Sequence, residues 1–237
     1  MADNRITKHR VKNHWTYSWW KYLLMAVCVV FGVNIFFTTT AYRAPEEKKV
    51  EIYLCSGWAD AQKAQTDLWP LLLQIAPEQE ELQVANIDLV SEEYYSIMQY
   101  STYMAAQQGD ILLLPIKEFK KYASDEAYSY FADLTPYLDA GMLSAGDTEL
   151  TAYTYPNADA QPGVFGIPAD VLYGLMDYGI DPAETVLAIT AYSGNEETCV
   201  RMLQAILEHY AIEKPESYDA WHQQIKSRSS GSSQIFF

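Results

Sequence analysis

Residues 93–115 read EYYSIMQYSTYMAAQQGDILLLP, and the stretch divides at Gly109. Ahead of it, Ser91 offers a side-chain acceptor to the first free amides of a helix. Glu92 and Glu93 complement the positive end of that helix in its first turn. The helix is expected to run to about Gln108 and to stop at Gly109, which tolerates the left-handed backbone of a helix end. Behind the glycine, Ile111 to Leu114 is wholly apolar, the pattern of a strand buried on both faces, and Pro115 ends it. A helix followed at once by a doubly buried strand is the repeating step of a sheet flanked by helices.

The flanking segments repeat that step. Val50, Ile52 and Leu54 alternate with Glu51 and Tyr53 in a first strand, ended by Gly57. Residues 60–75 place Ala61, Ala64, Leu68, Leu71, Leu72 and Ile75 on one side of a helix, which Pro70 should kink or split. Residues 82–89, LQVANIDL, form a second strand, and Phe119, Tyr122 and Ala123 mark a short helix after the third. Residues 133–163 are punctuated by Pro136, Gly141, Gly146, Pro156, Pro162 and Gly163 and read as loops. Residues 164–168 and 185–190 (TVLAIT) are further strands. Asn195 can cap a last long helix with Val200, Leu203, Leu207 and Tyr210 on its buried side. Residues 228–233 are Ser- and Gly-rich and are expected to be disordered. The fold expected is α/β: a doubly wound, mostly parallel sheet of about five strands over residues 50–212, with a tail over 213–237.

Residues 19–37 are of another kind. From Trp19 to Phe37 the run contains Lys21 and Asn34 as its strongly polar residues. At about 1.5 Å per residue a helix of this length covers the roughly 30 Å hydrocarbon core of a bilayer. Trp15, Tyr17, Trp19, Trp20 and Tyr22 suit the headgroup zone at one end, and the basic residues of the N-terminal segment keep that end cytoplasmic. The expectation is a single-pass signal-anchor with a cytoplasmic tail over 1–18, a linker over 38–49 and an extracytoplasmic domain. Thr39-Thr40-Ala41 would alternatively serve as a cleavage site, giving a secreted product.

The chain carries a formal net charge of −15. From Ala44 onward 10 Lys and Arg face 30 acidic residues, a balance of −20. That excludes nucleic acid as a partner, because neutralising phosphate needs clustered cations. Cys28 lies in the apolar run. Cys55 and Cys199 could pair in an oxidising compartment, although two separate buried thiols are the simpler reading.

The order of segments resembles the first lobe of the extracellular solute-binding proteins that serve ABC importers, in particular the sugar-binding group. The stretches that carry the resemblance are LLQIAPEQEELQVANIDL (72–89), EYYSIMQYSTYMAAQQGDILLLP (93–115), FADLTPYL (131–138), VFGIPAD (164–170) and AITAYSGNEETCVRMLQAIL (188–207). In that family the chain leaves after the Gly-Ile-Pro strand to build a second lobe. Here only residues 171–184 intervene before the returning strand. The resemblance therefore implies a single lobe with an open face, binding a sugar-like solute or an envelope protein without catalysis. A structural or assembly protein using the fold as a scaffold is the alternative.

The residues themselves show no nucleophile elbow, phosphate loop, dinucleotide fingerprint or C-x-x-C pair. His209 and His222 lie thirteen residues apart with no Cys beside them, so neither metal nor cofactor is expected. In doubly wound sheets ligands sit beyond the carboxyl ends of the strands. That rule selects Ser56, Gly57, Trp58 and Asp60 after the first strand, and Pro115 and Lys117 after the third. It also selects Asp170 and Tyr173 after the fourth, and Tyr192 and Asn195 after the fifth. An indole face beside polar groups suits a sugar ring. Packing on the neighbouring helix is the competing role for Trp58, and helix capping for Asp60.

Overall fold

The computed structural model describes residues 8–40, 44–91, 93–146 and 148–232. The linker at Arg43, the cleavage site at Ala41, the first-turn Glu92 and Ser233 lie outside them. The chain divides into two compact units, Met1–Arg43 and Ala44–Phe237.

The first unit holds one helix, α1 (Lys8–Thr40). Its stretch Ser18–Thr40 has a mean hydropathy of 2.1 and is long and apolar enough to cross a membrane or to serve as a signal sequence. Thr38 and Thr40 return their hydroxyl hydrogen bonds to the carbonyls of Asn34 and Phe36. Polar side chains at the end of an apolar helix are thereby satisfied locally.

The second unit is an α/β fold. Its elements are β1 (Lys49–Leu54), α2 (Ala61–Ile75), β2 (Glu81–Asn86), α3 (Tyr94–Ala105), β3 (Ile111–Pro115), α4 (Ile116–Tyr130) and α5 (Thr135–Asp139). There follow β4 (Thr154–Pro156), β5 (Pro162–Val164), β6 (Ile167–Pro168), β7 (Thr185–Ile189), α6 (Glu196–Tyr210) and α7 (Tyr218–Ser232). The main sheet has the order β2-β1-β3-β7-β6. β1 pairs parallel with β2 and with β3, whereas β7 pairs antiparallel with both β3 and β6. Four of the five strands therefore run the same way, and β7 alone runs back.

β3 occupies the centre, as its apolar sequence requires, and alternate residues feed two cores. Val50, Ile52 and Leu54 of β1 join Leu113 and the inner faces of α2 and α6. Tyr53 and Cys55 join Leu112, Leu114, α3 and α4 on the other side. Cys55 and Cys199 lie in different cores and are free. Burial pushes both thiols well above the ordinary range, so both remain neutral and pack as small hydrophobes.

Several local expectations change. α2 runs through Pro70 as one helix, with Asp60 as its cap. α3 starts at Tyr94 instead of after Ser91; the amides of Val90 and Ser91 donate to Asp88 Oδ1 (3.0 and 3.0 Å), so an Asx turn precedes the helix. The expected strand over 164–168 is two short ones. β5 pairs with β4 in a separate two-stranded sheet within what had read as loop, and only β6 joins the main sheet. Residues 228–232, whose Ser and Gly content suggests disorder, are helical as the end of α7.

Candidate functional site

The carboxyl ends of β1, β2 and β3 open onto a cleft of about 690 Å3, within the roughly 300–1,000 Å3 of small-molecule sites. Ser56, Gly57 and Trp58 enter it from β1, the loop of Asp88, Leu89, Val90 and Ser91 from β2, and Pro115, Ile116, Lys117 and Glu118 from the β3–α4 junction. The crossover between β6 and β7 adds Gly179, Asp181 and Glu184, and α7 adds Trp221, His222, Ile225 and Lys226. Two glycines shape the rim. Gly57 turns the chain out of β1 at φ +104°, and Gly179 sits at φ +83°, where a Cβ would come within 2.9 Å of the Trp58 carbonyl oxygen.

Two lining residues differ from the rest in exposure and pairing. Ser56 is only 7 % exposed, and its Oγ has no hydrogen-bond partner among the described residues. A buried hydroxyl left unpaired costs free energy, and a polar atom entering the cleft would relieve that cost. Trp58, by contrast, is 75 % exposed. Its indole does not pack on the neighbouring helix, so the competing structural role is not fulfilled. Trp221 supplies a second, half-buried indole.

The charged groups mostly hold one another. Asp88 is occupied by its Asx turn. Glu118 pairs with Lys121, and Glu184 lies 3.8 Å from Lys226. Asp181, 6 % exposed, accepts hydrogen bonds from the Ala183 amide (3.2 Å), the Tyr218 hydroxyl (3.0 Å) and His222 Nδ1 (2.6 Å). Burial first, and the adjacent Asp181 second, raise the Tyr218 hydroxyl far above its ordinary pKa, so it stays a donor. A carboxylate only accepts, so His222 Nδ1 carries a proton. An imidazole oriented by a carboxylate is half of a nucleophilic triad. The other half, a serine hydroxyl bonded to the imidazole, is not formed, because Ser56 Oγ engages no partner.

Of the residues selected by the strand-end rule, Ser56, Gly57, Trp58, Pro115 and Lys117 come together in this cleft. Asp60 caps α2, accepting from the Lys63 amide at 3.0 Å. Asp170 is exposed beyond β6 and does not line the cleft. Tyr173 stands behind the wall, its ring 5.0 Å from Tyr218. Tyr192 and Asn195 lie at the opposite edge of the sheet, because β7 runs antiparallel and its carboxyl end falls beside the start of β1 and β3. There the Asn195 amide donates to the carbonyls of Glu46 and Lys49 (2.6 and 2.9 Å), without capping α6. The Tyr192 hydroxyl donates to the Gln108 carbonyl at 3.2 Å. Asp88, Asp181, Trp221 and His222 were not selected. The same rule applied to the second strand would have found Asp88; the other three belong to segments read as a turn and a tail.

No family model matches this chain, and no curated protein matches it. Among solved structures it is similar to an extracellular solute-binding protein family 1 from Alicyclobacillus acidocaldarius, at 14% identity and a TM-score of 0.36, over 54% of this chain and 29% of that one. It is also similar to maltose-bound T. maritima MalE3, at 18% identity and a TM-score of 0.35, over 51% and 28%. The chain thus matches less than a third of the length of either.

Proposed function

We propose that residues 44–232 form a non-catalytic binding module that takes a small, neutral, ring-bearing solute, such as a sugar, in the cleft beyond β1, β2 and β3. The observation that supports this reading is the unpaired, buried Ser56 Oγ in a cleft that also carries the exposed Trp58. An indole covers the apolar face of a ring while a hydroxyl meets its polar edge. Mixed charges already paired on the protein favour a neutral ligand over an ion. We further propose that α1 anchors the module in a membrane, with its basic N-terminal side cytoplasmic and the module outside.

The test is a titration of the full chain in detergent with mono- and oligosaccharides and short peptides, read by tryptophan fluorescence. Saturable quenching that disappears in Trp58→Ala is expected. If no solute produces it, and the protein instead forms a stable complex with another envelope protein, the scaffold reading replaces this one. That second reading has its own support in Tyr94, Tyr95, Ile97 and Met98, which α3 leaves exposed as a protein interface would require. Protease access to the module in intact cells tests its placement outside the membrane.

A further inference from the structure

α7 differs from α6 in how it is held. α6, of equal length, buries nine residues, from Thr198 to Tyr210. Among the described side chains of α7 only Tyr218 is buried. The chain reaches α7 through residues 211–217, tied to the core by a parallel bridge between Ile212 and Leu172 and beyond it exposed except at the half-buried Pro215. The buried anchor of the helix is one carboxylate, and at the surface Lys226 adds an exposed ion pair to Glu184 at 3.8 Å. Asp181 takes both the Tyr218 hydroxyl (3.0 Å) and His222 Nδ1 (2.6 Å), one turn apart on the same face. The Tyr218 ring stacks on His222 (5.6 Å between centroids) and meets Tyr173 edge-on (5.0 Å). Past this point Trp221, His222, Ile225 and Lys226 form a wall of the cleft.

A wall with one buried polar anchor, an exposed ion pair and half-buried Trp221 and Ile225 has little burial of its own and can separate without unfolding the core, since local opening free energies follow local burial. We propose that α7 is a hinged wall of the cleft, latched at Asp181 and swinging on residues 213–217, and that its opening admits and releases the solute. The proposal rests on the cleft being the solute site, and it gives the single lobe an intramolecular substitute for a second closing surface. It also makes Trp221 a contact present only in the closed state.

The latch can be tested without knowing the solute. In a Cys28→Ser background, where the remaining native thiols are buried, Ser56→Cys places a reporter inside the cleft for labelling by a maleimide. The double substitution Tyr218→Phe, His222→Ala removes both bonds to Asp181. Labelling should then quicken by roughly tenfold to a hundredfold, the loss expected for hydrogen bonds to a charged group. Amide hydrogen exchange over 218–232 should quicken with it, while exchange in β3 and α6 stays unchanged. Asp181→Asn, which keeps an acceptor for the Ala183 amide, should give a smaller change in the same direction. Exchange over 218–232 as slow as in α6, labelling indifferent to the double substitution, or equal loosening of α6 would each overturn the hinge. A labelling response without binding of any solute would instead overturn the solute reading and leave the hinge standing.

Discussion

Replacing Ser56 by alanine should make the protein more stable and a poorer binder. Ser56 Oγ is buried with no partner among the described residues, so the fold bears its desolvation uncompensated. Such a group costs about 1–3 kcal/mol. The residue borders the cleft and keeps 7 % of its surface, so the lower end, about 1 kcal/mol, is the fair expectation. The methyl of alanine occupies the space of the Ser Cβ and leaves little void. For a chain of this size 1 kcal/mol corresponds to about 2–4 °C in Tm. The assay is urea unfolding followed by far-ultraviolet circular dichroism, comparing Ser56→Ala with wild type at equal m-value. Solute affinity measured on the same samples should fall about tenfold, the effect of losing one hydrogen bond of about 1.4 kcal/mol. A variant less stable than wild type by about 0.5 kcal/mol or more would refute the reasoning, because it would mean that the hydroxyl is already satisfied in the free protein.

Trp58→Ala should leave the unfolding midpoint within about 0.5 kcal/mol of wild type, since the indole is solvated, while abolishing ligand-dependent fluorescence changes. Gly166→Ala should cost about 1–3 kcal/mol by overpacking, because the added Cβ would lie 2.7 Å from Val186 Cγ1 and 2.9 Å from the Phe119 ring; thermal unfolding measures it. Asp110 is raised above the usual carboxylate range, chiefly by burial and against hydrogen bonds from Ser193 and the Glu51 amide. A carboxyl with a raised folded pKa holds its proton longer in the native state, so its contribution is most favourable below the unfolded value and declines as pH rises through the folded one. Asp110→Asn, whose amide can serve both neighbours, should therefore gain stability relative to wild type as the pH is taken from about 4 upward. Urea midpoints across that range check it, and a pH-independent difference would count against it.

The parallel half of the sheet was legible because its pattern is local. An apolar run stopped by Pro115, a helical period ahead of Gly109 (although α3 ends earlier than expected, at Ala105) and an alternating β1 each carry their assignment in a few residues. The direction of β7 was not legible. TVLAIT reads alike in either sense, and only the crossover over 171–184, packed through Leu175, Tyr178 and Ile180, turns it back. That single reversal moved Tyr192 and Asn195 to the wrong edge. α7 was hidden for a different reason. It has one buried residue among its described side chains and a Ser/Gly-rich end, so its docking draws on Asp181, more than thirty residues upstream in another segment, and no local period records such a bond. Ser56 and Trp58 could be placed at the carboxyl end of β1 because a positional rule applied to that strand does not depend on distant sequence.

The order of strands in the sheet also sets the order in which the molecule can be made. As the chain emerges, β1, β2 and β3 can assemble with α2 and α3 as consecutive units. The outer edge of β3, carrying Ile111 to Leu114, then has no neighbour until Thr185–Ile189 has been synthesised, and β6, although made earlier, has only β7 to pair with. An apolar strand with its backbone donors and acceptors unpaired is a template for association between chains, and closing so long a loop slows its capture. The span from 116 to 184 is therefore a period of exposure in biosynthesis. An export route that delivers the chain unfolded and lets it fold only when complete would shorten that period to the time of a single collapse.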